Sequence, residues 1–220
     1  MSGGTRLKPI DTIADIAEGI AALRLIDQRL EPVIELAGDI PLRRAPPGFA
    51  ALASVVIGQQ VSRSAADAIL ARLVAGVDPL TPARVLEADD AVFRAAGLSA
   101  GKVRTLRAVA AAAEGGMLDL PALGERPHDA AIAALTALPG IGPWTAEVYL
   151  LVSVGHPDIF PAGDVALQAA VGHAFGIDPR PDARRLAAIA ESWAPWRSVA
   201  ARLFWAYYRG MRGREAAPAA

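Results

Sequence analysis

Leu138-Pro139-Gly140-Ile141-Gly142-Pro143-Trp144 is the stretch on which the reading of this chain turns, together with the Gly163-Asp164 that follows it. An Ala/Leu/Ile-rich segment, Asp129 to Ala137, precedes it, and a second apolar segment, Pro143 to Val154, follows. Both have helical character, and Pro143 suits a first helical position. The glycines permit a tight turn and a positive φ where a side chain would clash. A Gly-rich turn that feeds a helix start leaves several N–H groups without partners. Such a start favours an anion, and phosphate is the obvious one.

Working outward, 53% of the 220 residues are hydrophobic and the formal net charge is −1. Alanine and leucine dominate and runs of β-branched residues are scarce, which predicts an all-α fold. There is no cysteine, so disulfides, a cysteine-ligated zinc and an iron–sulfur cluster are excluded. No leader opens the chain, and no apolar run approaches the roughly 20 residues of a membrane helix. The expectation is a soluble, cytoplasmic protein. His128, His156 and His173 lack metal-ligand spacing. Arg180, Arg184, Arg185, Arg197, Arg202, Arg209, Arg212 and Arg214 stand against only Asp182 and Glu191. This predicts a basic C-terminal face on a chain of near-zero charge.

Met1 to Lys8 reads as a loose start. Helices are predicted over Ile10–Leu25, Pro32–Ala37, Phe49–Gln59, Arg63–Val74 capped by Ser62, a segment opened by Thr81-Pro82, a short one from Asp89 or Asp90, and one capped by Ser99 through Ala113. Pro41–Gly48 and Gly115–Pro127 read as connectors. After the hairpin come a loop from His156 to Gly163 and helices over Asp164–Phe175, Asp182–Trp193 and Pro195–Arg209. Glu215–Ala220 reads as a frayed tail.

Hairpin, Trp144, Gly163-Asp164 and the later Pro195-Trp196-Arg197, in this order, resemble the helix-hairpin-helix (HhH-GPD) superfamily of DNA glycosylases. The closest likeness is to the alkylation-repair branch, 3-methyladenine DNA glycosylase II, over about Pro46 to Tyr208. The resemblance implies a two-lobed helical fold with a cleft between the lobes. Only about 45 residues precede the shared region and they look helical, so no N-terminal β domain is expected. The expected division is 1–48 as helices rejoining the C-terminal lobe, 49–127 as a lobe with a wedge loop, 128–214 as the hairpin and catalytic lobe, and 215–220 as a tail.

The resemblance also assigns roles. Asp164 sits by the target sugar, where a carboxylate steadies the positive charge that builds as the base leaves. The plain alternative is a helix cap. Trp144 stands where related base-and-lyase enzymes place a Schiff-base lysine, so a lyase step by that route is disfavoured. An aromatic ring there suits a cationic base. Trp205 matches another pocket aromatic, although both tryptophans fit a core role as well. Val148 occupies the place of the family's pocket tyrosine, and Tyr149 lies one position beyond. Gln60 matches the wedge residue that fills the gap left by an extruded base, with Gln59 beside it; a wedge is normally apolar, and a loop capping two helices is the alternative. The carbonyls of Thr136, Leu138 and Ile141 match a monovalent-cation site, Na⁺ or K⁺, that bridges to a DNA phosphate. The amides of Gly140, Gly142 and Trp144 are candidate phosphate donors, and Lys102 and Arg104 candidate phosphate contacts. Pro195-Trp196-Arg197-Ser198 reads as structural support for Asp164 and Trp205.

The implied function is a monofunctional DNA glycosylase for alkylated purines, a monomer acting on damaged double-stranded DNA in a bacterial, nucleoid-associated setting, with no required cofactor. The alternatives are a non-catalytic helix-hairpin-helix DNA-binding module and a glycosylase for deaminated, etheno or oxidised bases.

Overall fold

The computed structural model describes residues 8–215, with side chains described through 211. The first seven positions of the expected loose start, the tail beyond Glu215, and the side chains of Arg212 and Arg214 lie outside the described residues. Every regular element among the described residues is helical. None of their helices is long and apolar enough to cross a membrane.

The chain forms two compact units: residues 1–44 with 155–220, and residues 45–154. This corrects the expected division. The hairpin belongs with residues 45–127, not with the C-terminal segment. Its second helix packs on the helix of Phe49–Gly58, and the turn Pro121–Glu125 packs on Leu150–Val154.

In the first unit, α1 (Ile13–Ile26) opens with a capping box between Thr12 and Asp15, and α2 is Glu31–Ala37. The C-terminal segment supplies α10 (Val165–Ala174), α11 (Ala183–Ala190) and α12 (Arg197–Glu215). The helix α12 is the axis on which α1, α2 and α10 pack. The close approach of α1 depends on Gly19, where an added Cβ would lie 2.6 Å from a Val199 methyl. Trp193 is fully buried against Phe160 and Phe204, with ring centroids 5.3 and 5.2 Å away. Its indole N–H donates to Asp27 at 3.0 Å, so this buried donor is satisfied.

The second unit contains α3 (Phe49–Gly58), α4 (Arg63–Gly76), α5 (Pro82–Glu87), α6 (Asp90–Ala96), α7 (Ala100–Glu114), α8 (His128–Thr136) and α9 (Pro143–Tyr149). Here α3 is the centre, in contact with α4, α7 and α9. The predicted caps form: Ser62, Thr81 and Ser99 each accept from the amide three residues on. Beyond Tyr149, residues Leu150–Val154 widen into a π-helical turn that the apolar spacing did not disclose.

Candidate active site and nucleic-acid interface

Asp164 is held from three sides within the first unit. Its Oδ1 accepts from the amides of Ala166 at 2.9 Å and Leu167 at 3.1 Å, so it is the N-cap of α10. The indole Nε1 of Trp205, on α12, reaches the same oxygen at 3.4 Å. Both side chains are half-buried. The two readings of Asp164 are therefore compatible: the cap immobilises a carboxylate that stays within reach of solvent.

The loop that delivers Asp164 is itself pinned. Ser198 is fully buried; its Oγ lies 2.6 Å from the His156 carbonyl and accepts from the Ile159 amide at 2.9 Å. Arg197 forks onto Asp158 at 2.7 and 2.9 Å. Gln168 donates to the Ala162 carbonyl at 3.0 Å, and the Asp164 amide donates to Pro161 at 2.9 Å. The Arg197-Ser198 pair thus fastens the strandless segment ahead of the carboxylate.

These bonds also correct the predicted basic face. Arg197 is spent on Asp158. Arg202 is buried and donates to the carbonyls of Leu42 and Ser198, and desolvation lowers it to about 10. Arg180, Arg184, Arg185 and Arg209 remain exposed. His173 meets the Tyr207 hydroxyl at 2.8 Å, and His156 Nδ1 accepts from the Asp158 amide. No metal-binding cluster of His, Cys, Asp or Glu occurs among the described residues.

In the second unit the hairpin runs from α8 to α9. Gly140 has φ +83°, and a Cβ there would lie 1.8 Å from Thr105 Oγ1, so only glycine fits. Gly142 differs. Its φ is −89°, and nothing lies within 4 Å of an added Cβ. Its glycine leaves the start of α9 open without relieving any strain. The amides of Gly140 and Gly142 find no acceptor among the described residues, and both residues are exposed. The Thr136 and Ile141 carbonyls likewise have no donor there, and the Leu138 carbonyl accepts only from the Ile141 amide at 3.2 Å.

The face of α9 decides the pocket candidates. Thr145, Ala146 and Tyr149 are buried, whereas Trp144, Glu147 and Val148 are half-exposed. Tyr149 is corrected from pocket to core: it is 0% exposed and its hydroxyl accepts from the Gly48 amide at 3.0 Å. One position along a helix turns a side chain by about 100°, enough to change faces. Val148 keeps the half-exposed face. Glu147, three residues after Trp144, was not singled out from the sequence. Its carboxyl has no partner among the described residues, and burial raises it to about 7.

Two further candidates are corrected. The Gln59 amide donates to the Gly140 carbonyl at 3.1 Å and to Thr145 Oγ1 at 2.8 Å. The Lys102 ammonium donates to the carbonyls of Ile57 at 2.7 Å and Gln59 at 2.9 Å, closing the end of α3. Both groups are committed to the protein. Arg104 is exposed and without a partner among the described residues. Gln60 is exposed in the left-handed region at φ +57°, and Val61 beside it is 39% exposed. Val61 supplies an apolar surface in this turn that its sequence position did not mark.

A family model described as HhH-GPD superfamily base excision DNA repair protein matches residues 53–195. The chain belongs to this superfamily. Within it, DNA-3-methyladenine glycosylase 1 of Schizosaccharomyces pombe is 28% identical over 188 residues, 82% of each chain. DNA-3-methyladenine glycosylase 2 of Escherichia coli K12 is 31% identical over 136 residues, 62% of this chain and 45% of that one. Among solved structures, the S. pombe 3-methyladenine DNA glycosylase in complex with abasic DNA superposes with a TM-score of 0.79 at 25% identity, covering 87% of this chain and 95% of that one. The DNA-3-methyladenine glycosidase of Bacillus halodurans gives 0.76 at 30% identity, with 95% and 94% covered. The HhH-GPD assignment makes the hairpin and Asp164 parts of one DNA-repair fold.

Proposed function

We propose that this HhH-GPD protein is a monofunctional DNA glycosylase that hydrolyses the N-glycosidic bond of alkylated purines, such as 3-methyladenine and 7-methylguanine, in duplex DNA. The observation that carries the reading is the Asp164 carboxylate, fixed at the start of α10 by two amides and touched by the Trp205 indole.

Breaking the bond between purine and deoxyribose builds positive charge on the sugar. A carboxylate already immobilised beside that charge stabilises it without reorganising, and orients water for attack. An N3- or N7-alkylated purine is cationic and leaves as a neutral base, so one acidic group is sufficient. Trp205, which touches Asp164, is assigned to stacking on the electron-poor base; the Trp144 ring suits such a base too, and it carries no amine for a Schiff base. The lesion must leave the stack to reach these groups, and weak pairing of a damaged base lowers that cost.

The hairpin is assigned to the DNA backbone. The open amides of Gly140 and Gly142 offer two donors to a phosphate oxygen. The Thr136, Leu138 and Ile141 carbonyls are assigned to a Na⁺ or K⁺, since two of the three lack a donor among the described residues and the chemistry is all oxygen. Such an ion, when bound, would supply positive charge to the phosphate contact.

The test compares wild type with Asp164→Asn on methylated DNA, with free 3-methyladenine and 7-methylguanine as the readout. Wild type releases both bases and the variant binds DNA but releases almost none. Equal release from the two defeats the assignment; binding without any release by wild type favours a non-catalytic hairpin module. The logarithm of the wild-type affinity should also fall linearly with the logarithm of salt concentration, because phosphate contacts release counterions.

A further inference from the structure

The turn after α3 and the hairpin before α9 are far apart in sequence and are joined by one side chain. The Gln59 amide donates to the Gly140 carbonyl, at the tip of the hairpin, and to the hydroxyl of Thr145, in the first turn of α9. The backbone of the same residue is gripped separately, because Lys102 donates to the Gln59 carbonyl and to Ile57. Gly140 is in turn seated against Thr105, whose hydroxyl donates to the Gly101 carbonyl at 3.2 Å. The ends of α3, α7 and the hairpin thus meet in a single polar knot.

Immediately beyond this knot the chain does something unfavourable. Gln60 takes φ +57°, a conformation that costs most side-chain-bearing residues about 1–2 kcal/mol. Gly and Asn accept it readily; Gln does not. Strain of this kind persists where the surroundings over-determine it. Here the residue before Gln60 is fastened through both its side chain and its carbonyl, and Gln60 itself is exposed with Val61.

We infer that Gln59 is a positioning residue: its amide locks the Gln60-Val61 turn to the phosphate-gripping hairpin, so that DNA held by the hairpin meets the turn in one fixed register. The inference rests on the glycosylase reading for the identity of the DNA but concerns a different step. It separates gripping the backbone from filling the duplex at the lesion. The Gln59 amide group has two N–H bonds, and the two protein acceptors use both. Gln59 therefore acts through the turn and not by contact with DNA through those donors.

The test uses a duplex containing a tetrahydrofuran abasic analogue with 2-aminopurine as the opposite base, so no bond is cleaved. Binding is followed by anisotropy and insertion by 2-aminopurine fluorescence at saturation. Four variants are compared with wild type: Gln59→Glu, Gln60→Ala, the pair together, and Thr145→Val. Gln59→Glu keeps the size and the Thr145 contact but turns an oxygen toward the Gly140 carbonyl. It should bind the duplex with wild-type salt dependence, while its fluorescence change falls by more than half, to the level of Gln60→Ala. The double variant should fall no further than Gln60→Ala alone. Thr145→Val, which removes one of the two acceptors at equal volume, should give an intermediate loss. A wild-type fluorescence signal in Gln59→Glu, or an additional independent loss in the double variant, overturns the inference. Absence of methylpurine release by wild type, in the separate assay above, strikes the glycosylase reading and leaves this result standing or falling by itself.

Discussion

At the start of α10 the amides of Ala166 and Leu167 are met by Asp164; at the start of α9, Gly142 brings no side chain and no cap forms. Every helix start leaves amides without partners inside the helix. The first start is closed from within, and closing it holds a carboxylate still. The second has no side-chain cap, and the Gly142 amide ahead of it has no acceptor among the described residues. One chain thus answers the same local problem with a carboxylate cap in one unit and with an uncapped glycine in the other, the start proposed above to receive a phosphate.

The sharpest way to break this comparison is Asp164→Asn. Asn caps as well as Asp, so thermal stability should hardly change, while base release falls by about 10²–10³, the cost of removing one preorganised electrostatic stabiliser. Asp164→Ala should add a stability loss of about 1 kcal/mol from the cap, read as a Tm drop of roughly 2–4 °C. A large Tm drop in the Asn variant would mean that the charge serves the fold.

Gly140→Ala attacks the open start through its support. The positive φ and the contact with Thr105 together should cost about 2–4 kcal/mol, a Tm fall of roughly 5–15 °C, with DNA affinity falling too. A variant of wild-type stability would show that Thr105 moves aside freely.

Glu147 contrasts with Asp164 as a carboxyl without donors among the described residues. Burial raises it from 4.5 to about 7. The folded state therefore binds the proton more tightly than the unfolded chain, and stability falls as pH rises from about 4.5 through 7. Glu147→Gln should flatten that slope and raise Tm at pH 8 by about 2–4 °C, allowing for partial exposure. Denaturant melts of both proteins at pH 5 and pH 8 measure it, and parallel slopes refute it.

The smallest effect sharpens the comparison most. Gly142→Ser supplies the missing cap in open space. It should stabilise α9 by a few tenths of a kcal/mol, about 1 °C in Tm, and weaken DNA binding several-fold because a side chain now stands where a phosphate would approach the Gly142 amide. Tighter binding would show that the open amides are not the receptor.

Much of this was readable along the chain. The caps at Ser62, Thr81, Ser99 and Asp164, and the proline that starts α9, are local signals that act within one turn. The side chains whose partners lie far away were not readable that way. Gln59 and Lys102 look like polar groups awaiting a phosphate, and both are spent on the ends of α3 and the hairpin. Arg197 and Arg202 look like a basic face, and both are used up inside the first unit. Tyr149 looks like a pocket residue because it is adjacent to one, and the helical rotation sends it inward to Gly48. The hairpin joined residues 45–127 because the apolar face of α9 matches α3, a match between faces that spacing alone does not disclose.

The sequence by itself determined an all-helical chain, the places where its helices begin, the hairpin and the membership of Asp164 in a helix start, because capping and periodicity are settled among residues a few positions apart. Tertiary structure alone decided which polar groups stay available and which are consumed, because a hydrogen-bond donor is committed by whichever acceptor the fold brings within about 3 Å.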